Sequence, residues 1–370
     1  MSARRRMFEE NVVVPMAPDR AHRGVSGSIL PLNDGSLLFV HAVETDPLKC
    51  ECWLEARRSR DGGRTWGEPF APLPREHNFE TIAPTLLRLD NGEVLLFYNL
   101  EALSARSPGW GDHTPTLDQH VYVRRSSDEG ATWSSPVCAA HYPATCQSQP
   151  DKVVRLSSGR IVIPCEGFWL TGGDHCVSVC FFSDDGGYSW WPSRDFVDLG
   201  GATEEPSVVE LDGGRLLMVC RTRRGYLARS YSQDDGLTWS EPELIPELTD
   251  PYAGFLATRI PATGDVLVIY CNNPLAPAFY RGEKQQLVHV GELEIALGQV
   301  RSPLTSAIST DGGQTWGRFR CIAADPEGVY DDYGYPGITW INDDRVALVN
   351  YHALNGIRVA RIGLQWFYGE

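Results

Sequence analysis

The sequence predicts an all-β protein, a six-bladed β-propeller, because two repeats alternate along the chain. The first repeat is an eight-residue box of the form Ser-x-Asp-x-Gly-x-(Thr/Ser)-Trp, which occurs five times. The second is a pair of apolar strands joined by a short turn, which occurs six times. No amphipathic helical period of useful length interrupts these repeats. We therefore expect a single propeller domain over residues 1–370.

Each strand pair is expected to form the two inner strands of one blade. In chain order the pairs span 28–39, 84–96, 150–163, 206–219, 256–269 and 336–349. Five of the six pairs turn at a Gly, which tolerates the left-handed backbone that a tight reversal needs. The sixth pair carries Asp343-Asp344 at its turn instead.

Each of the first five pairs is followed by one box, which we call an Asp box. The boxes span 59–66, 126–133, 183–190, 232–239 and 309–316. Within a box, Asp and Gly shape a tight turn, Asp accepts backbone N–H bonds, and Trp packs underneath. We therefore interpret the boxes as structural turns between the outer strands of a blade. The sixth blade has no box, and we expect a strand at 11–14 to supply its outer strand and close the ring.

The charge balance argues against several classes of partner. The chain has 33 Lys and Arg against 48 Asp and Glu, a net charge of −15. Nucleic acids and anionic membranes bind net basic surfaces, so neither is an expected partner. The sequence contains no run of eighteen or more apolar residues, so no transmembrane helix is predicted. A signal peptide needs an apolar region after its basic start. Here Glu9 and Glu10 closely follow the three arginines at 4–6, so we expect no signal peptide.

The ten cysteines lie mostly in apolar stretches, as Cys220 and Cys271 do. This pattern is typical of reduced thiols, so we expect free thiols and a cytoplasmic protein. The pairs 50–52 and 176–180 lack a second pair at zinc-finger spacing, so no metal is predicted. No Gly-rich phosphate loop is present, and no organic cofactor is predicted either.

Propeller topology predicts where a functional site would lie. The first strand of each blade lines the central channel, so the residues just before the six strand pairs meet at one mouth. Glu204 and Glu205 of blade four and Tyr333 and Tyr335 of blade six hold such positions. A Tyr hydroxyl is a weak nucleophile unless a base takes its proton, and a carboxylate from another blade would do so. Arg221 and Arg301, from blades four and five, could bind a carboxylate substrate bidentately.

The same segments resemble those of the sialidases (exo-α-neuraminidases) and the wider group of Asp-box proteins, from about Ser28 to Tyr351. The most specific stretch, 204–221, is similar to the sialidase segment Asn-Glu-x-x-Val-Val-Glu-Leu, Asp-Gly and an Arg at the strand end. Segments 159–164 and 273–274 resemble the family's Gly-Arg-Leu-Val-Val-Pro and Ser-Asn-Pro. Segment 301–304 resembles its third-arginine segment, and 334–336 the segment that holds the nucleophile.

This resemblance implies a sialidase-like exo-glycosidase that retains anomeric configuration and acts on terminal sialic acid or another acidic sugar. Tyr335 would be the nucleophile that forms a glycosyl-enzyme intermediate, the known exception to carboxylate nucleophiles among glycosidases. Glu205 would be its general base. Arg221 and Arg301 would be two of three arginines that bind the sugar carboxylate.

The remaining family positions fall in the first blade. The family's acid/base Asp lies between the second strand of blade one and the first box, where Asp46 stands, with Glu44 as the alternative. The family's first arginine belongs to an Arg-Ile-Pro segment that aligns with 25–28, which contains no Arg. Arg23 lies two residues earlier and is the candidate substitute. Loss of one charged hydrogen bond typically costs about 1.5–3 kcal/mol, enough to change substrate preference.

Three functions therefore stay open. The first is the sialidase-like glycosidase, favoured by Tyr335 and Glu205. The second is another carbohydrate-active enzyme on the same propeller, a uronide- or rhamnose-type hydrolase or a lyase, favoured by the missing arginine. A histidine base would serve it, and candidates near the mouth are His77, His113 and His175. The third is a non-catalytic glycan-binding propeller, which poor convergence of these side chains would favour.

Overall fold

The computed structural model describes residues 7–16, 26–44, 52–75, 79–102, 119–141, 145–168, 175–290, 293–324 and 332–369. Its strands form a six-bladed β-propeller of antiparallel sheets, and 5% of the structure is helical. The predicted fold class is confirmed.

The chain begins with β1 (Phe8–Pro15), which belongs to the last blade, and then builds each blade from the channel outwards. Blade one comprises β2 (Gly27–Pro31), β3 (Leu37–Glu44) and β4 (Cys52–Ser59). Blade two comprises β5 (Phe79–Arg88), β6 (Val94–Ala102), β7 (Gln119–Ser126) and β8 (Val137–Ala140). Blade three comprises β9 (Cys146–Gln147), β10 (Val154–Arg155), β11 (Ile161–Phe168), β12 (Cys176–Ser183) and β13 (Trp191–Pro192).

The second half of the chain forms the other three blades. Blade four comprises β14 (Thr203–Glu210), β15 (Leu216–Thr222), β16 (Tyr226–Ser232) and β17 (Glu243–Thr249). Blade five comprises β18 (Leu256–Arg259) and β19 (Val266–Cys271), then an insertion of α1 (Ala276–Tyr280), β20 (Leu287–Val290) and β21 (Leu293–Ala296), and then β22 (Leu304–Ser309) and β23 (Gly317–Ala323). Blade six comprises β24 (Gly334–Ile341), β25 (Val346–Ala353) and β26 (Gly356–Gly363), and α2 (Leu364–Tyr368) follows it.

The first and last blades are neighbours, which closes the ring. β1 pairs with β26 as the outer strand of blade six, from Phe8 opposite Ile362 to Pro15 opposite Gly356. It begins three residues before the predicted span of 11–14 and ends one residue after it. On the inner side, β2 packs beside both β5 and β24.

The second strand of each blade forms the core between blades. All eight residues of β3, all seven of β15 and all eight of β25 are buried. Neighbouring blades cover both faces of these strands, so both faces must be apolar. This explains why they read in the sequence as continuous apolar runs rather than as alternating strands.

The Asp boxes are turns that follow the third strand of a blade and lead to its fourth strand, which in blade one is reduced to a single bridge between Ala56 and Phe70. In the first box, the Asp61 carboxylate accepts the backbone N–H groups of Arg64 at 3.0 Å and Thr65 at 2.9 Å. The Ser59 hydroxyl accepts the N–H of Gly63, whose φ of 85° is left-handed. Successive strands alternate in direction, so these turns lie on the propeller face opposite the mouth. The boxes are therefore structural, as predicted.

Replacing Asp61 with Ala is expected to lower the free energy of unfolding by about 1 kcal/mol without changing kcat, because the lost hydrogen bonds are exposed and far from the mouth. Burial alone would raise the pKa of Asp61, but hydrogen bonds from Thr65 and Ser59 lower it to about 2. Its contribution to stability is therefore present above pH 4 and lost as the pH falls towards 2. Urea unfolding at pH 7 and pH 3 should show a smaller difference between variant and wild type at pH 3. A loss of kcat at unchanged stability would contradict this interpretation.

Seven of the nine described cysteines are buried, whereas Cys138 is partly buried and Cys321 is exposed. Burial raises the pKa of Cys165, Cys176 and Cys180, and it raises that of Cys220 to about 12. No helix in the described part of the chain is long and apolar enough to cross a membrane. The cytoplasmic location and the free thiols stay predictions.

Candidate active site

A repeated backbone bend shapes the mouth. In blades two to six, a non-glycine residue at or just before the inner strand adopts a left-handed φ between 47° and 64°. These residues are Ala83, Asp151, Glu205, Tyr252 and Tyr335. The ladders of β5, β14 and β24 have register shifts at the same points. A bulge of this kind redirects a side chain, so the bends decide which residues face the mouth.

Two of these bends bring Tyr335 and Glu205 together. The Tyr335 hydroxyl donates a hydrogen bond of 3.0 Å to Oε1 of Glu205, although 130 residues separate them in the chain. Glu205 is 2% exposed, and Tyr335 is partly buried. Burial is the largest cause that raises the pKa of Tyr335 well above its usual value, and the nearby Glu205 carboxylate is the second. The phenol therefore keeps its proton near neutral pH and needs a base to become a nucleophile.

Arg221 joins Glu205 to a second carboxylate. One terminal nitrogen of its guanidinium lies 2.8 Å from Glu205 and the other lies 2.7 Å from Glu204. Residues 204 and 221 face each other in the β14–β15 ladder, which explains the contact. The Tyr252 ring lies 3.9 Å from the Arg221 guanidinium, and its hydroxyl donates to Glu204. Burial alone would raise the pKa of Glu204, but Arg221 and these hydrogen bonds hold it below its usual value.

Arg301 lies beside this cluster. Its guanidinium donates to the backbone oxygen of Tyr252 at 3.0 Å and lies 3.6 Å from the carboxylate of Asp332. Its side chain is 26% exposed, against 7% for Arg221. Arg301 is therefore the more accessible of the two predicted substrate-binding arginines.

Two buried ionisable residues of blade three, which we did not predict, bind the Glu205 backbone. The Lys152 ammonium donates to the backbone oxygen of Glu205 and lies 4.1 Å from the ring centroid of Phe255. The Glu166 carboxylate accepts the backbone N–H of Glu205 at 2.9 Å. Burial lowers the pKa of Lys152 to about 8, and burial together with Glu205 and Glu204 raises that of Glu166 to about 8. A signal existed for Lys152, which is an ionisable residue within the predicted inner strand pair 150–163, whereas Glu166 lies three residues beyond that pair.

The insertion of blade five was also missed. The segment between β19 and β22 is too long for a hairpin turn, which was the available signal. Its α1 helix ends at Tyr280. Burial, and to a smaller extent the charge of Asp250, raises the pKa of Tyr280 to about 12. Tyr280 also interacts electrostatically with Arg221 and Arg301, so the insertion borders the mouth. Burial raises the pKa of Asp250 itself to about 7.

Two other predicted residues, Glu44 and His175, belong to the described part of the chain. Glu44 is the buried last residue of β3, opposite Cys52. His175 lies 3.0 Å from the carboxylate of Asp198 and bonds to neither Tyr335 nor Glu205. Four candidates lie outside the described residues: Arg23, Asp46, His77 and His113. Within the described ranges, no group of three or more His, Cys, Asp or Glu is placed to hold a metal ion.

Comparison with known proteins places the chain in a family. Residues 49–348 match the model of the BNR repeat-like domain. The chain belongs to this family. The predicted relationship to Asp-box proteins of the sialidase superfamily is therefore confirmed.

The relatives of this BNR repeat protein include sialidases. It is 27% identical over 342 residues to a sialidase of Micromonospora viridifaciens, which is 85% of this chain and 47% of that one. It is 24% identical over 251 residues to a sialidase of Paraclostridium sordellii, 62% of this chain and 59% of that one. The chain thus spans about half the length of the curated relatives it matches.

A solved structure shares the fold. A Hadza microbial sialidase superposes with a TM-score of 0.72 at 20% identity, over 93% of this chain and 66% of that one. At this identity the likeness supports the propeller fold and not a particular activity.

Proposed function

We propose that this BNR repeat protein is a sialidase-like exo-glycosidase that acts with retention on terminal sialic acid or another acidic sugar. The observation that carries the proposal is the 3.0 Å hydrogen bond from the Tyr335 hydroxyl to Glu205, with Arg221 bonded to the same carboxylate oxygen. This is the arrangement of an activated nucleophile, in which a base takes the proton and a third group orients the base. The sialidase relatives support the same reading.

In the first step, the Tyr335 oxygen attacks the anomeric carbon and forms a covalent glycosyl-enzyme. Its proton passes to Glu205. The bond from the anomeric carbon to the leaving oxygen breaks, and the leaving oxygen takes up a proton. We assign the donation of this proton to Asp46.

In the second step, water attacks the anomeric carbon and Asp46, now a carboxylate, takes its proton. The bond from carbon to the Tyr335 oxygen breaks, and Glu205 returns the proton to the phenolate. Two displacements at one carbon restore the original anomeric configuration.

A neutral nucleophile suits a sugar whose anomeric carbon bears a carboxylate. An Asp or Glu nucleophile would approach that carboxylate against charge repulsion, whereas a protonated Tyr does not. We assign the binding of the carboxylate to Arg221 and Arg301, with Arg23 as the candidate third arginine. Charge-assisted, bidentate bonds from arginine fit a carboxylate well.

One observation favours a second candidate, a different sugar on the same catalytic pair. Both terminal nitrogens of Arg221 are engaged by Glu204 and Glu205, and residues 26–28 contain no arginine. Fewer than three arginines would bind a substrate carboxylate more weakly, which would suit a uronide or a neutral deoxy sugar.

The test is hydrolysis of a panel of aryl glycosides that includes sialosides, uronides and rhamnosides. Turnover of a sialoside supports the first candidate, and turnover of a uronide or rhamnoside alone supports the second. Binding without turnover of any member would contradict the proposal and favour a glycan-binding propeller. The anomeric configuration of the first product, read by NMR, tests retention.

Replacing Asp46 with Asn is expected to slow substrates with poor leaving groups by about 10²–10⁴-fold, because a leaving oxygen of high basicity needs a proton. Substrates with good leaving groups should be hydrolysed at close to the wild-type rate. Steady-state kinetics on a series of aryl glycosides of the same sugar measures the difference. Equal losses across the series would remove Asp46 from this role, and Glu44→Gln would then be measured on the same series.

A further inference from the structure

Glu205 holds its position on a strained backbone. Its φ of 47° lies in the left-handed region, where a side chain crowds the following carbonyl. A non-glycine residue keeps such a conformation only when its surroundings fix it. The proposed base therefore depends on whatever binds its two peptide groups.

Both peptide groups of Glu205 are bound by ionisable side chains from the neighbouring blade. Its N–H donates to Oε2 of Glu166 at 2.9 Å, and its C=O accepts from the ammonium of Lys152. Lys152 and Glu166 are each 2% exposed. The nucleophile is held differently, because the backbone of Tyr335 bonds to the neutral groups of Gly254 and Ser26.

The Glu166 carboxylate is itself fixed. Its other oxygen accepts from the side-chain amides of Gln147 and Gln149, the latter at 3.3 Å. The Gln147 amide oxygen in turn accepts from Gln119 of blade two at 2.7 Å. This chain of hydrogen bonds leaves Glu166 no room to swing away from Glu205.

Burying two ionisable residues costs desolvation free energy that apolar residues would avoid. This cost brings their pKa values together, since burial lowers that of Lys152 and raises that of Glu166 to about 8 each. Below pH 8 Lys152 is mostly an ammonium, and a hydrogen bond with one ionised partner is roughly twice as strong as a neutral one. Phe255 limits the cost for Lys152 by presenting its ring to the ammonium at 4.1 Å.

We propose that Lys152 and Glu166 are positioning residues, which clamp the backbone of Glu205 so that its carboxylate stays aligned with the Tyr335 hydroxyl. The inference rests on the proposed function, in which Glu205 is the base. Misplacement of a catalytic group by about 1 Å typically costs about 100-fold in rate, so loosening the clamp should be visible in kcat.

The test begins with Lys152→Met, which has similar length and no donor, and Glu166→Leu, which has no acceptor. Each should lower kcat on the best aryl glycoside of the panel by about 10- to 100-fold, with KM within about threefold. Glu166→Gln keeps an oxygen for the Glu205 N–H and should retain more of kcat than Glu166→Leu. Equal losses in the two Glu166 variants, or an intact kcat in Lys152→Met, would overturn the proposal.

A double-mutant cycle separates positioning from a general loss of structure. In a Glu205→Gln background, Lys152→Met should lower the residual kcat by less than about threefold, because its effect acts through Glu205. The same loss in both backgrounds would show that Lys152 acts elsewhere. Failure of the proposed function is distinguishable, since it would appear as an intact kcat in Glu205→Gln alone.

The matched control is Ser183→Ala in the Asp box of blade three. The buried Ser183 hydroxyl accepts the N–H of Gly187 at 2.7 Å, so this change also breaks a buried backbone bond of blade three. It should lower the melting temperature and leave kcat unchanged. A kcat loss in this control as large as that in Lys152→Met would overturn the proposal.

Discussion

Replacing Tyr335 with Phe is expected to lower kcat by at least about a thousandfold, with KM and folding nearly unchanged. The change removes one oxygen, the atom that attacks the anomeric carbon, and keeps the ring that packs in the mouth. Glu205 and Arg221 remain bonded to each other at 2.8 Å, so the binding site keeps its charges. Steady-state kinetics on the best aryl glycoside of the panel, with thermal unfolding alongside, measures the effect.

Tyr231→Phe is the matched control for Tyr335→Phe. Tyr231→Phe also removes a bonded hydroxyl, which donates to the backbone oxygen of Gly312 at 3.1 Å and accepts from the side-chain amide of Gln314 at 2.7 Å, both in the fifth Asp box. That box lies on the face opposite the mouth, so kcat should not change. If Tyr335→Phe keeps wild-type turnover, Tyr335 only fills the channel and the proposed chemistry is wrong.

Replacing Glu205 with Gln is expected to lower kcat by about 10²–10⁴-fold. The amide keeps the shape of the carboxylate but cannot accept the phenol proton. The pKa of Tyr335 lies well above its usual value, so the phenol does not ionise unaided near neutral pH. The double variant with Tyr335→Phe should be no worse than Tyr335→Phe alone, since the two side chains act as one unit.

Glu210→Gln provides the control within the same strand. Glu210 is the last residue of β14, at the end away from the mouth, where it accepts the N–H of Ser157 at 2.7 Å. Its replacement should leave kcat unchanged. Additive losses in the Tyr335 and Glu205 double variant would contradict the assignment of the two residues to one proton transfer.

The fold could be predicted from sequence because its signals are local and repeated. An Asp box fixes a turn within eight residues, and strands buried on both faces read as apolar runs. Topology placed residues 204–205 and 333–335 at one mouth, since equivalent ends of inner strands meet there, and the resemblance to sialidases then singled out Glu205 and Tyr335.

The parts that were not predicted depend on side-chain contacts that only the register and the packing of the strands define. The inner strand of blade three is split into β9 and β10, and Lys152 lies in the gap between them. No sequence pattern shows that its ammonium reaches the Glu205 carbonyl of the next blade. Likewise, Arg221 was expected to face a substrate, and its bond to Glu204 became visible only from the register of β14 and β15.

The most direct test of the Tyr335 and Glu205 chemistry is to trap the covalent intermediate. A fluorinated glycosyl fluoride of the sugar that the panel identifies should react quickly and be released slowly, because fluorine destabilises the second transition state while fluoride leaves easily. Mass spectrometry of the digested protein should then find one sugar attached to the peptide that contains Tyr335, and no such adduct in Tyr335→Phe. A sugar attached to another residue, or continued turnover with no covalent sugar, would contradict the account.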